Sequence, residues 1–351
     1  MKKNILVIDD SALMRRVICD IINADTNFQV TDICKDGLEG YEQLKKKSYD
    51  AVIMDVNMPR MNGLELLSKL QEEKIKATVI VVSSLTTKDA ETTILAMERG
   101  AVDFVTKPGN IIEAKGDTFK NNLMEVLRAV LRVEVSAKRT PASQMIRKPH
   151  QQVAAKGNGK KLVALACSTG GPKALQSVIP YLPANLNAPV VLVQHMPVGF
   201  TKSMADRLNE VSKVHVKEAE EGDVLRAGWV YVAPGGKHLE VKRLSDGTHK
   251  VTLTDRPPVG GLRPYANYMY ESLTGSTYDE IICVVLTGMG ADGTMGIKKL
   301  DQVRNVHVIC QNEESCVVFG MPKAAIDAGL ADEVVTLTDV AQSIMKSVGV
   351  K

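Results

Sequence analysis

No apolar run in this 351-residue chain approaches the ~20 residues that span a bilayer, so no helical membrane crossing and no direct membrane insertion are expected. The start, MKKNILVIDD, has two lysines but only a short apolar run before two aspartates, which lacks the longer apolar region of a signal peptide. A cytoplasmic location is the expectation. Cysteine is sparse: Cys19, Cys34, Cys167, Cys283, Cys310 and Cys316 are scattered, with no Cys-x-x-Cys pair or zinc-type histidine spacing. They read as reduced core residues. No helix-turn-helix or basic recognition helix is found, which argues against a nucleic-acid partner. What remains, 44% hydrophobic and 24% charged, is ordinary for a globular protein, and the length suits two domains better than one.

Acidic residues are missing from one segment. Between Ser136 and Lys160 lie six basic residues (Lys138, Arg139, Arg147, Lys148, Lys156, Lys160) and no acidic ones, so a net charge of +3 leaves −3 on the rest of the chain. The same stretch holds Pro141, Pro149, Gly157 and Gly159 and shows no apolar periodicity, which marks a flexible tether. A nucleic-acid-binding arm is the sharper alternative, but neither flanking half carries a matching motif. The organisation expected is a first domain over 1–133, a basic linker over 134–160 and a second domain over 161–351.

In the first half, apolar runs alternate with helical patterns five times, at Ile5 to Ile8, Gln29 to Cys34, Ala51 to Met54, Thr78 to Val82 and Asp103 to Thr106. Five βα units in this length fit one doubly wound α/β domain. Polar residues collect where the runs end: Asp9 and Asp10, then Asp55, Ser83, and Lys107 with Pro108. Three carboxylates at one sheet edge would repel one another without a hard divalent cation, and Mg²⁺ suits oxygen ligands. A lysine and a hydroxyl beside them suit a phosphoryl group, with Asp55 as its acceptor. Strand-end turns also favour Asp and Ser, but five such residues at matching positions are hard to assign to turns alone.

In the second half, three reactive side chains each follow a short apolar run: Ser168 after LVALAC, His195 after VVLVQ, and Asp292 after IICVVL and a glycine-rich turn. Such runs read as buried parallel strands, whose carboxyl ends border the ligand crevice. Hydroxyl, imidazole and carboxylate brought to one edge form a nucleophile, base and orienting group. The order Ser, His, Asp differs from that of the common hydrolases, and no Gly-x-Ser-x-Gly elbow is present. Each residue alone has a plainer reading: Ser168 and Asp292 as helix caps, His195 as a core histidine. Cys167 is a rival nucleophile, but strand alternation turns it away from Ser168. His238 is a weaker pocket candidate, and His150, His215, His249 and His307 have no support. An alternative without catalysis is a phosphorylation-controlled binding module in which TGG and GMGADG cradle a phosphate.

LVIDDS, IMDVNMPRMNGLELL, VVSSLT and DFVTKPG resemble the receiver domain of two-component response regulators. The resemblance implies a flavodoxin-like fold with Asp55 as phosphoacceptor, Asp9 and Asp10 joining it around Mg²⁺, and Ser83, Lys107 and Phe104 sensing the phosphoryl group. Phe104 stands where a tyrosine is often found. With ACSTGGP, QHMPVGFT, YVAPGGKHL, RPYANY, LTGMGADG and CVVFGMPKAA, the whole chain resembles the bacterial chemotaxis protein-glutamate methylesterases. The pattern Leu239 to Leu244, turn Ser245-Asp246-Gly247, Lys250 to Leu253 suggests an antiparallel hairpin added to the edge of the second, mostly parallel α/β hydrolase-type sheet. The resemblance implies a Ser168, His195, Asp292 triad, an oxyanion hole at the Met289 N–H, and no cofactor in that half. The partners implied are the methylated cytoplasmic domain of a chemoreceptor and a chemotaxis histidine kinase. Related enzymes further imply that the unphosphorylated receiver obstructs the crevice. Ala166 and Tyr265 depart from the family pattern, where glycine and serine are usual.

Overall fold

The computed structural model describes residues 1–110, 116–133 and 159–350. Lys138, Arg139, Arg147, Lys148, His150 and Lys156, and with them the expected tether as far as 158, lie outside the described residues, whereas Lys160 exchanges hydrogen bonds with Asp279. The chain divides into two compact units, within 1–138 and within 139–351.

The first unit alternates β1 (Lys3–Ile8), α1 (Ala12–Asn23), β2 (Phe28–Cys34), α2 (Gly37–Lys46), β3 (Ala51–Asp55), α3 (Gly63–Glu72), β4 (Val79–Ser83), α4 (Thr87–Glu98), β5 (Asp103–Thr106) and α5 (Asp117–Val130). All strand pairs are parallel, in the order β2-β1-β3-β4-β5. Strand alternation explains why both faces are apolar: Ile5, Val7 and Ile53 enter one core cluster, and Leu6, Ile8, Val52 and Met54 the other. Side-chain caps fix where helices start. Ser11 accepts from the Met14 N–H, and Asn62 and Glu65 form a reciprocal capping box at α3. Chain order reverses between β1 and β3, so Asp9, Asp10 and Asp55 meet at the topological switch point.

The second unit comprises β6 (Lys161–Cys167), α6 (Gly171–Gln176), β7 (Val190–Gln194), α7 (Phe200–Val211), β8 (His215–Glu218), β9 (Trp229–Val232), β10 (His238–Arg243), β11 (His249–Thr254), α8 (Ala266–Ser272), β12 (Glu280–Val285), α9 (Thr294–Asp301), β13 (Val306–Gln311), α10 (Met321–Asp327), β14 (Glu333–Val335) and α11 (Val340–Val348). Seven strands form a parallel sheet in the order β14-β13-β12-β6-β7-β9-β8. The adjacent strands β12, β6 and β7 lead into the three segments that carry Asp292, Ser168 and His195.

The antiparallel hairpin is present, but it does not extend the parallel sheet as expected. Among the named strands β10 and β11 pair only with each other, β11 adding a single antiparallel bridge from Lys250 to Val224, and the parallel sheet ends at β14 and β8. Leu239, Val241 and Val251 turn one face of the hairpin onto the core that Met269, Tyr270 and Leu273 share. Ser272 Oγ accepts from the Val241 N–H at 2.9 Å. Burial of that face against α8, and backbone hydrogen bonds between β11 and the segment 222–225, hold the hairpin.

Candidate functional site

Two groups of functional side chains stand at strand ends, one in each unit. In the first, ligand oxygens of Asp9, Asp10 and Asp55 lie within 4.8 Å of one another. Lys107 Nζ is 2.7 Å from Asp55 Oδ2 and 3.1 Å from Asp9 Oδ2. Burial raises the Asp55 pKa despite the opposing pull of Lys107. Burial also works against the Lys107 charge, but Asp55 and then Asp9 outweigh it and hold the ammonium above its ordinary range. Asp9 is buried, and its Oδ2 has the Lys107 ammonium as its ion-pair partner. An all-carboxylate donor set, two members buried and Asp10 exposed beside them, with one ammonium against three carboxylates, fits a hard divalent cation such as Mg²⁺.

Ser83 is buried, and its hydroxyl accepts from Thr93 Oγ1 at 2.7 Å. It is tied to Lys107 through backbone only, the Lys107 N–H donating to the Ser83 carbonyl at 2.7 Å. Phe104 is half-buried and packs against the cluster of Met97 and Ala101.

In the second unit, His195 Nε2 and Asp292 Oδ2 are 2.8 Å apart, with side chains only 7% and 3% exposed. Asp292 also accepts from the Ala266 N–H at 2.6 Å and the Asn267 N–H at 2.9 Å. It therefore caps α8, whereas Gly293 is the N-cap of its own helix α9. The carboxylate is aligned by three donors, and the imidazole nitrogen left for Ser168 is Nδ1. Ser168, half-buried, begins the loop after β6, and its hydroxyl forms no hydrogen bond to His195 among the described residues. A Cβ at Gly288 would lie 2.9 Å from Ser168 Cβ, so this glycine lets the second loop pass close to the serine. Among the described residues, the N–H groups of Met289 and Thr169 donate to nothing.

Cys167 is fully buried and burial raises its pKa, which suits a core residue and not a thiolate. His238 is also fully buried, edge-on to Tyr268 and 3.3 Å from the Pro257 carbonyl. His307 contacts Glu333, His249 accepts from the Thr277 N–H, and His215 stacks on Trp229. Tyr265 is the N-cap residue of α8, and its hydroxyl accepts from Asn267 Nδ2 at 2.8 Å.

Sequence reasoning missed the polar side chains behind the site. Gln194, read only as the end of an apolar run, is 2% exposed and donates from Nε2 to the carbonyls of Ser168 and His195. Thr287 donates to the Thr169 carbonyl at 2.9 Å, and Gln311 Oε1 accepts from the Thr287 N–H at 2.8 Å. The signal was a buried amide where the apolar pattern demanded none. GMGADG has Gly-x-Gly-x-x-Gly spacing between a strand and a helix, as dinucleotide turns do. Spacing therefore does not exclude nucleotide binding. The engagement of Asp292 with His195 and α8 gives the loop a different use.

A parallel sheet presenting a carboxylate–imidazole pair beside a serine, together with an acidic phosphoacceptor-type cluster in a five-stranded α/β unit, defines a hydrolase-type protein with a receiver. Comparison with known proteins agrees. The family model described as CheB methylesterase matches residues 163–344, and that of the response regulator receiver domain matches residues 5–115. The protein-glutamate methylesterase/protein-glutamine glutaminase of Bacillus subtilis is 43% identical, over 98% of both chains. Its counterpart in Geobacillus kaustophilus is 42% identical, again over 98% of both. The Thermotoga maritima CheB methylesterase catalytic domain matches with a TM-score of 0.51 and 41% identity, covering 54% of this chain and 98% of that one. The chain belongs to the CheB methylesterase family, with an N-terminal response regulator receiver domain.

Proposed function

We propose that this protein hydrolyses glutamate γ-methyl esters on chemoreceptors, releasing methanol, and that phosphorylation of Asp55 controls the reaction. Receptor glutamine is a second substrate of the same site, giving ammonia in place of methanol. The observation that carries the reading is the buried His195–Asp292 pair at the strand edge where Ser168 stands. With Nε2–H held by Asp292, His195 Nδ1 takes the Ser168 proton as Oγ attacks the ester carbonyl carbon. The oxyanion is received by N–H groups of the two glycine-rich loops, those of Met289 and Thr169. Imidazolium then protonates the departing methoxide, and water attacks the acyl-serine by the reverse proton path.

In the receiver, the Asp55 carboxylate attacks phosphorus in a phosphohistidine of the chemotaxis kinase, forming an acyl phosphate and freeing the imidazole. Mg²⁺, held by Asp9, Asp10 and Asp55, supplies positive charge to the transferring group when bound. Lys107 supplies the chain's own positive charge, Ser83 leaves Thr93 for a phosphoryl oxygen, and Phe104 turns inward. The domains proposed are 1–133 and 161–351, with 134–160 as linker. The protein works in the cytoplasm; among the described residues no helix is long and apolar enough to cross a membrane.

A binding module without catalysis has no use for the His195–Asp292 pair. The deciding experiment is methanol release from methylated receptor, with and without a small phosphodonor and Mg²⁺. Wild type should release methanol faster with phosphodonor, and Ser168→Ala should release none while still phosphorylating Asp55. Methanol release by Ser168→Ala at the wild-type rate would end this reading.

A further inference from the structure

We propose that Gln194 is a positioning residue that aims an oxyanion donor and holds nucleophile and base in register. The inference rests on the hydrolase reading of Ser168 and His195 and extends it to a side chain outside the triad.

Gln194 is the last residue of β7, in a strand that is otherwise wholly aliphatic. Its side chain crosses from β7 to the end of β6. Nε2 donates to the Ser168 carbonyl at 3.0 Å and to the His195 carbonyl at 3.1 Å. One amide nitrogen therefore binds the backbone of the proposed nucleophile and the proposed base, which are 27 residues apart in sequence. The remaining backbone groups of the two residues are also held. The Ser168 N–H donates to the Thr287 carbonyl at 3.0 Å, and the His195 N–H to the Cys167 carbonyl at 3.2 Å. Gly171 N–H joins Gln194 on the Ser168 carbonyl at 2.7 Å.

Peptide geometry carries this hold into the crevice. The Ser168–Thr169 bond is trans, so its C=O and N–H point in opposite directions across one rigid plane. Two donors drawing the Ser168 carbonyl back fix the Thr169 N–H on the opposite side, where it has no acceptor within the protein. That N–H belongs to the residue following the nucleophile, the position from which hydrolases recruit an oxyanion donor. Thr287 Oγ1 on the Thr169 carbonyl locks the next peptide as well.

The seat of Gln194 excludes other uses. A Cβ on Gly171 would come within 1.9 Å of Gln194 Oε1, so the glycine is required for the amide to lie flat against the turn. Oε1 itself is buried and accepts no hydrogen bond. A side chain placed only to fill space would not be an amide, because burying an unmatched polar oxygen is unfavourable. The two Nε2 bonds are what the amide provides.

Two variants of nearly equal shape test this. Gln194→Met removes both donors, and Gln194→Glu retains one donor only when its carboxyl is protonated. Removing an oxyanion donor outright costs about 10²- to 10³-fold in kcat. Misaiming one should cost less, about 10- to 100-fold, with KM changed less than threefold. Gln194→Glu should match Gln194→Met at high pH and recover several-fold over it as the pH falls and the carboxyl gains its proton. A side chain of purely structural importance would lower the melting temperature without this pH-dependent difference. Ester hydrolysis is measured over pH with wild type, both variants and Ser168→Ala. A kcat for Gln194→Met within threefold of wild type, or equal pH profiles for Met and Glu, overturns the proposal. If Gln194→Met fails to fold, the Gln194→Glu profile decides alone, a wild-type-shaped profile counting against. An active Ser168→Ala would instead overturn the hydrolase reading, and so distinguishes the two failures.

Discussion

Asp292→Asn keeps the side-chain shape and removes its charge, so its consequences follow from three hydrogen bonds. Oδ2 accepts from the Ala266 N–H at 2.6 Å and lies 2.8 Å from His195 Nε2, while Oδ1 accepts from the Asn267 N–H at 2.9 Å. An amide has one oxygen to cover both positions. With its NH₂ at the Oδ1 position, the Asn267 N–H faces a donor. With its NH₂ at the Oδ2 position, the Ala266 N–H faces a donor, and His195 is driven to the tautomer carrying its proton on Nδ1. That tautomer cannot take the Ser168 proton. Either arrangement leaves one buried donor unmatched, at about 1–3 kcal/mol. For a domain of this size the thermal transition should fall by about 2–4 °C per kcal/mol.

Activity suffers in two ways. Hydrogen bonds to charged groups are worth about 1.5–3 kcal/mol and neutral ones about 0.5–1.5 kcal/mol. Weaker support of the imidazolium alone therefore costs roughly tenfold in kcat. A wrongly held tautomer multiplies this, and the same change in a serine protease triad costs about 10⁴-fold. The expected loss lies between these limits, with KM little changed and less complete than for Ser168→Ala. Methanol release and thermal denaturation on the same samples measure both effects. A folded Asp292→Asn enzyme within threefold of wild-type kcat would refute the orienting role.

Cys167→Ser should retain substantial activity, and an inactive but folded variant would make the thiol the better nucleophile. Cys34, with its thiol pushed up to about 11 by burial and then by nearby carboxylates, should resist alkylation at neutral pH and react only toward that value. His249 is held below its ordinary pKa by burial, then by Arg243, Lys160 and Arg304. Its stabilising contribution is therefore present above the unfolded value near 6.5 and lost as the pH falls, by at most about 1.4 kcal/mol per pH unit. His249→Asn should flatten the melting-temperature slope between pH 7 and 5, and an unchanged slope counts against it. Lys107→Met should destabilise the receiver without Mg²⁺ and enlarge the thermal shift that Mg²⁺ produces; an equal shift in wild type and variant would contradict its charge-balancing role. A fragment starting near Lys160 should hydrolyse ester without phosphodonor, and if it is no faster than unphosphorylated full-length protein, relief of obstruction is the wrong account of control.

Strand ends are legible because a buried parallel strand is a short unbroken apolar run, and a charged or hydroxyl residue just past it stands out. Asp9, Asp55, Ser83, Ser168 and His195 were all visible in this way. Alternation in β10 and β11 likewise revealed their pairing, but pairing says nothing about whether the outer edges meet a further strand, so the hairpin was assigned to the wrong place. Asp292 was harder still. Its sequence context allowed a cap for the helix that follows, yet Gly293 starts that helix and the carboxylate reaches back 25 and 26 residues to α8. Contacts of this kind have no period and leave no local pattern. A weaker sign does exist. Gln194 and Gln311 each end an otherwise mainly apolar strand, and a buried amide must find partners in the fold. Both found them on the backbone that carries Ser168, His195 and Thr287, at the carboxyl edge of one sheet. A glutamine closing an apolar run at such an edge is therefore better read as a brace for the neighbouring loops than as the strand's last residue.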